Sequence, residues 1–167
     1  MNFSSWVPLC ATFTGRVYDT YRVRSAYASG MQMTYAFEGG DDFGKDPQKL
    51  VWLKKMCEEF LLVRPYFYGD LYMLTKPIKD EYSWCASQWD RPESGDGMIQ
   101  IFRREKSPYI NASFTLEKID RTKKYHFTDL DGGEFVIDGE TLSDKGFCVT
   151  VNEKRCAKIY LYRVIDQ

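Results

Sequence analysis

The side chains of this chain that could do chemistry are few and scattered. Three acids, Glu38, Asp41 and Asp42, stand in a Gly-rich loop that follows an apolar run. A fourth, Asp90, sits next to Arg91 in the string QWDRP. Carboxylates at this kind of position can serve as nucleophile, acid or base when they converge on a substrate. The single histidine, His126, is flanked by Tyr125 and Phe127 and has no Cys or second His at ligand spacing. Neither a metal site nor a nucleophile–histidine arrangement is expected from it. The five cysteines, Cys10, Cys57, Cys85, Cys148 and Cys156, are odd in number, far apart and without a C-x-x-C pair. They read as free buried thiols in a reducing compartment, not as a disulfide framework or a zinc site. No cofactor is implied by any of these groups.

The bulk composition narrows the classes further. Aromatics reach 16%, with 12 Tyr, 11 Phe and 4 Trp. Such a bias suits pleated sheets, whose faces pack flat side chains, and it also suits stacking on sugar rings. Core filling accounts for most of them. The 23 basic and 24 acidic residues are interleaved, with no basic stripe, which argues against a nucleic-acid partner. The opening MNFSSWVPLCATFTGR lacks the charge and apolar core of a signal peptide. No stretch approaches the roughly 18 apolar residues of a membrane span. A cytoplasmic chain is the expectation.

The elements that must hold these residues change character near Gly69. Asp46 is placed to cap a helix, with Pro47 at its first position. Leu50, Leu53, Met56, Cys57, Phe60 and Leu61 recur at spacings of three and four. This predicts a helix over 46–63 with one apolar stripe, and with Lys49, Lys54, Lys55, Glu58 and Glu59 mostly on its other faces. Pro65 should end it at Arg64. Residues 31–37 read as a short buried strand, so that strand, Gly/Asp loop and helix form one βα unit. A weaker helix over 19–29 would close at Gly30, and residues 3–13 are apolar and ambiguous. Beyond Gly69 short strands follow at 84–90, 97–103, 109–116, 124–130, 134–137, 147–151 and 158–164, with nothing helical beyond a turn. Asp131-Gly132-Gly133 and Asp138-Gly139 are hairpin signals. About seven strands over ~95 residues is the size of an antiparallel sandwich. Gly95 and Gly97 are expected at positive φ, and Gln88, Asp90 and Arg91 as a buried polar cluster fixing the turn.

Three stretches resemble family 36 glycoside hydrolases of the α-galactosidase type. DTYRVRSAYASGMQMTYAF (19–37) is similar to the family's entry to its last barrel strand. VRPYFYGDLYMLT (63–75) is similar to its exit from the last barrel helix. WCASQWDRPESGDGMIQIFRRE (84–105) resembles the pattern W-x-A-x-Q-x-D-R-P-x-x-G-x-G-x-x-x-x-F-R-R, and the tail over 125–151 resembles the family's terminal sandwich. The resemblance implies an α+β fragment. Residues 1–70 would be the remnant of a (β/α)8 barrel, its last βα unit, and residues 71–167 an antiparallel β-sandwich.

The family hydrolyses α-galactosides with retention, using two aspartates. It carries the nucleophile in a K-W-D-x-N type motif and the acid/base after a Cys-Ser-Gly-Gly type segment, and neither string occurs here. No catalytic residue is therefore assigned, and Asp90 falls in the sandwich by register. Sites in such barrels lie at the C-terminal strand ends. The resemblance accordingly places Glu38 and Asp41 as substrate-lining residues, with Trp6 and 12–16 bordering the same cleft. The plainer accounts are a solvated loop whose acids cap the helix, and core packing for Trp6. A partial barrel would leave the apolar stripe of 46–63 to lie on the sandwich or on a second copy. The second functional reading is a free-standing carbohydrate-binding sandwich. Its mark would be coplanar aromatics on one sheet face; Trp84 and Trp89, an odd number apart, fall on opposite faces of a regular strand.

Overall fold

The protein, seen as a computed structural model, is described over residues 11–14, 18–32, 46–77 and 79–165. The chain divides into two compact units, Met1–Tyr68 and Gly69–Gln167.

In the first unit, β1 (Ala11–Phe13) and β2 (Gly30–Gln32) pair in parallel, with Ala11 opposite Gly30 and Phe13 opposite Gln32. Parallel neighbours need a crossover, and α1 (Thr20–Ser25) lies within it. Asp19 caps α1 by accepting the Arg22 N–H. The helix stops at Ala26, so Gly30 does not close it; Gly30 instead opens β2. The remainder of the strand expected over 31–37 lies outside the described residues. The next element, α2 (Pro47–Val63), begins as its sequence dictates. The Asp46 carboxylate accepts the Gln48 and Lys49 N–H groups, and Pro47 occupies the first turn. Its end differs from expectation: Arg64 stays helical, still bonded to the Phe60 carbonyl, and a 3-10 turn continues over Arg64–Tyr68.

The face that α2 buries is also not the face its apolar spacing predicts. Met56, Glu59 and Val63 are buried, whereas Leu50, Val51, Leu61 and Leu62 are exposed. At about 100° per residue the buried stripe is turned by roughly a quarter of a revolution. The cause is electrostatic. Arg24, on α1, is 1% exposed, and its guanidinium grips Glu59 with two bonds of 2.7 Å, Nε to Oε1 and Nη2 to Oε2. The Tyr27 hydroxyl reaches the same carboxylate at 3.1 Å. A buried guanidinium must be paired, so Glu59 turns inward and an apolar edge turns out.

The second unit begins with β3 (Asp70–Met73), followed by β4 (Cys85–Arg91), β5 (Asp96–Arg103), β6 (Asn111–Phe114), β7 (Lys124–Asp129) and β8 (Glu134–Asp138). Helix α3 (Gly139–Lys145), β9 (Phe147–Thr150) and β10 (Cys156–Ile165) complete it. The larger sheet runs β3-β4-β5-β10-β7-β8, antiparallel throughout, with β3 and β8 at its edges. β6 and β9 form a second, two-stranded antiparallel sheet. The architecture is thus α+β and mostly antiparallel. All seven expected strands are present, with β3 in addition.

Alternation along the large sheet sends Ala86, Ile99, Ile101, Phe127 and Tyr160 into one core. There they meet Phe114, Phe147 and Val149 from the small sheet and Leu142 from α3. Aromatic rings tile this interior, Phe127 on Phe147 at 4.9 Å and Phe147 on Tyr160 at 5.0 Å. Helix α3 corrects the expectation of nothing helical in this half and of a hairpin at Asp138-Gly139. The Asp138 carboxylate accepts the Thr141 N–H, making it an N-cap, and Gly146 at φ +74 ends the helix. The same dipeptide type can open a helix or turn a hairpin, and the capping bond decides. Asp131-Gly132-Gly133 does form the β7–β8 turn, with both glycines at positive φ.

Glu59→Ala strands a buried guanidinium and should destabilise the first unit by about 3–5 kcal/mol, read from hydrogen exchange of the α2 amides. The paired change Arg24→Met with Glu59→Leu should recover most of that loss.

Candidate functional site

The residues expected to line a substrate cleft, Glu38, Asp41 and Trp6, lie outside the described residues, as does Asp42. Asp90 is described, and it lies in β4 of the second unit. It is buried, at 8% exposure, and forms part of a polar chain at one end of the large sheet.

Backbone register builds that chain. Gly97 of β5 lies between Asp90 on β4 and Tyr162 on β10, as the partner of both. A Cβ at Gly97 would overlap the Tyr162 phenol, so glycine is what lets that ring lie flat across β5. Gly97 is therefore required for close approach and not for positive φ, which among this pair only Gly95 adopts, at +64. Across Gly97, the Tyr162 hydroxyl donates to Asp90 Oδ1 at 2.5 Å and accepts from Gln88 Nε2 at 2.8 Å. The Gln88 amide also donates to the Glu117 carbonyl at 3.0 Å and accepts the Glu117 N–H at 2.8 Å. This two-bond clamp docks the segment after β6 onto β4. The next residue, Lys118, has φ +59, unique among described non-glycine residues. Farther along the segment, the Asp120 N–H donates to the Tyr125 hydroxyl at 2.8 Å.

Together these residues enclose a cleft of about 530 Å3, lined by Asp70, Asp90, Lys118, Asp120, Lys123 and Tyr125 among others. Asp70 is the direct cross-strand partner of Asp90. Burial holds the Asp90 carboxyl above the usual carboxylate range; the Tyr162 bond opposes this, and Asp70 and Asp96 add to it. Burial, with Asp90 beside it, pushes the Tyr162 phenol far above its ordinary value. Asp90 and Tyr162 thus form one hydrogen-bonded pair that borders the cleft. Arg91 does not join it. It points to the other face and pairs with Asp96, Nη2 to Oδ2 at 2.5 Å. Of the expected cluster, Gln88 and Asp90 are brought together and Arg91 is not.

Elsewhere the groups singled out by type are committed to structure. His126 faces Glu134 at 3.3 Å across the β7–β8 pair. No three metal-ligating side chains converge among the described residues. Cys57 and Cys148 are exposed, against the expectation of buried thiols, because neither lies on a face that packs. Trp84 packs on Phe114 at the core, while Trp89 is buried and donates to Gln100 Oε1 at 3.4 Å. Neither Trp is available for an exposed stacking platform. Tyr162 and Glu117 carried no local signal, since Gln88 and Tyr162 are separated by 74 residues. No helix among the described residues is long and apolar enough to cross a membrane.

No family model and no curated protein sequence matches the chain. Its fold matches solved α-galactosidase structures. The GH36 α-galactosidase AgaB from Geobacillus stearothermophilus aligns over 94% of this chain at 15% identity with a TM-score of 0.69. The α-galactosidase from Lactobacillus brevis aligns over 95% at 14% identity and 0.68. A variant of AgaA from Geobacillus stearothermophilus, in complex with raffinose, aligns over 90% at 16% identity and 0.67. This chain spans only about a fifth of each, 22%, 22% and 20% in turn. The likeness is one of fold, and it agrees with the resemblance carried by 84–105.

Because the folded chain binds the Asp90 proton more tightly than the unfolded chain, this group's stabilisation is greatest at low pH. It declines as pH rises through the folded pKa. Asp90→Asn keeps an acceptor for the Tyr162 hydroxyl and removes the ionisation. The variant should melt above the parent at neutral pH, with the gap closing as pH falls below the carboxylate range.

Proposed function

We propose that this chain is the C-terminal portion of a glycoside hydrolase of the α-galactosidase type, and that its own role is structural. The observation that carries this reading is the fold match over at least 90% of the chain to about a fifth of GH36 α-galactosidases. In this reading, residues up to about 70 are the end of a (β/α)8 barrel and the rest is the terminal sandwich. The strand–helix–strand–helix order of the first unit, with β1 and β2 parallel, supports it. So do the exposed Leu50, Val51, Leu61 and Leu62 of α2, an apolar edge that neighbouring barrel elements would cover.

The intact enzyme would hydrolyse α-galactosides with retention, which needs two carboxyl groups about 5–5.5 Å apart. The relatives in fold include structures in complex with raffinose and stachyose, and such saccharides are the substrates we assign to the whole enzyme. Neither catalytic motif occurs in this chain, so the chain alone is inactive. Glu38, Asp41 and Trp6 remain the residues proposed to border the substrate. Five cysteines, odd in number and without a C-x-x-C pair, fit a cytoplasmic setting.

The purified chain, incubated with a chromogenic α-galactoside, should release no product beyond the buffer rate. The same residues joined to a complete barrel should be active. Turnover by the 167-residue chain itself would overturn the reading and direct attention to Asp70 and Asp90, paired across β3 and β4, and to Glu38 and Asp41. The uncovered edge of α2 should also drive association of the isolated chain. Sedimentation should show concentration-dependent oligomers that Leu61→Lys with Leu62→Lys reduces.

A further inference from the structure

The cleft at the end of the large sheet has properties that a structural role alone does not require. Asp90 is buried, yet only one of its carboxylate oxygens is answered, by Tyr162. The other has no hydrogen-bond partner among the described residues, and Asp90 forms part of the cleft wall. That second oxygen stays open to the cleft, where it can accept a hydrogen bond from a ligand or from solvent. Opposite it, the Gln88–Glu117 clamp sets the loop that carries Lys118, whose backbone is held left-handed. Lys118 and Lys123 enter no salt bridge among the described residues. One carboxylate oxygen of Asp90 and the ammonium groups of Lys118 and Lys123 thus border one opening.

The geometry points to a binding site in this cleft for a neutral polyhydroxylated ligand of monosaccharide size, with Asp90 accepting one ligand hydroxyl and Lys118 donating to another. Charge selects this class. Asp70, Asp90 and Asp120 would repel an anion, and the two ammonium groups would repel a cation. A hydroxyl, which both donates and accepts, satisfies either sign. No three metal ligands converge here. The volume of about 530 Å3 lies within the range of small-molecule sites. Tyr125, Pro92 and Val164 supply apolar wall for the C–H face of a sugar ring. This site lies wholly within the second unit and does not depend on the chain's being part of a hydrolase.

The test is a titration of the full chain with D-galactose, D-glucose and myo-inositol, followed by amide NMR, with sodium chloride and ammonium chloride as controls. Saturable shifts confined to Gly95 and to residues 117–125 are expected with at least one of the three polyols. Lys118→Gly suits the left-handed backbone, so it should fold and yet bind about tenfold more weakly, the loss of one charge-assisted hydrogen bond. Asp90→Asn should weaken binding in the same direction while leaving the Tyr162 contact in place. Absence of saturable shifts with all three polyols up to about 100 mM would overturn the assignment. So would equal affinity in Lys118→Gly, or shifts produced only by the salts.

Discussion

A phenol hydroxyl removed from water has to be answered, and around Tyr162 that requirement organises one end of the sandwich. The ring extends across β5 toward β4, which only a glycine at 97 permits. Gln88 and Asp90 then satisfy the hydroxyl from both sides. Gln88 has amide capacity left over, and it spends that capacity on both backbone groups of Glu117. The hydroxyl ties β10 to β4 across β5, and the Gln88 amide ties β4 to the segment after β6. Buried polar networks of this sort specify geometry because a half-satisfied member is worse than an apolar one. The segment is held at Glu117 and at Asp120, and Lys118 and Asp120 from it line the cleft.

The first unit obeys the same rule with charges in place of a phenol. Arg24 and Glu59 are far apart in sequence and almost without exposure, and their bidentate contact outranks the apolar spacing of α2. Replacing a buried ion pair with apolar residues is often neutral in stability. The pair therefore acts mainly on orientation, fixing which face of α2 looks inward.

Much of the architecture was legible in local signals. Asp46-Pro47 marked the start of α2, alternation marked seven strands, and Asp131-Gly132-Gly133 marked a hairpin, because each depends on neighbours within a few residues. The failures are where distance or context decides. Asp138-Gly139 carries the same letters whether it turns a hairpin or caps α3, and only the bond to Thr141 distinguishes them. β3 is four residues long and gains its strand character by pairing with β4. The orientation of α2 depended on a partner 35 residues away, and the role of Gly97 on a ring 65 positions later, so no window of sequence contained them. Asp90 was visible as a buried sandwich carboxylate, but not the tyrosine that holds it.

The outer edge strand β8 carries its own safeguard. Its sequence, EFVID, places Phe135 and Val136 at an open sheet margin, partly exposed, where unpaired backbone groups invite a further strand. Two copies meeting antiparallel about Val136 would set Glu134 of each against Asp138 of the other. The Asp138 carboxyl is kept ionised, its pKa lowered chiefly by the Thr141 N–H. Like charges directly opposed across strands are unfavourable, so the cap that starts α3 also acts as a gatekeeper. A single acidic side chain thereby ties the onset of a helix to colloidal behaviour, and neutralising it would loosen the helix and unguard the margin together.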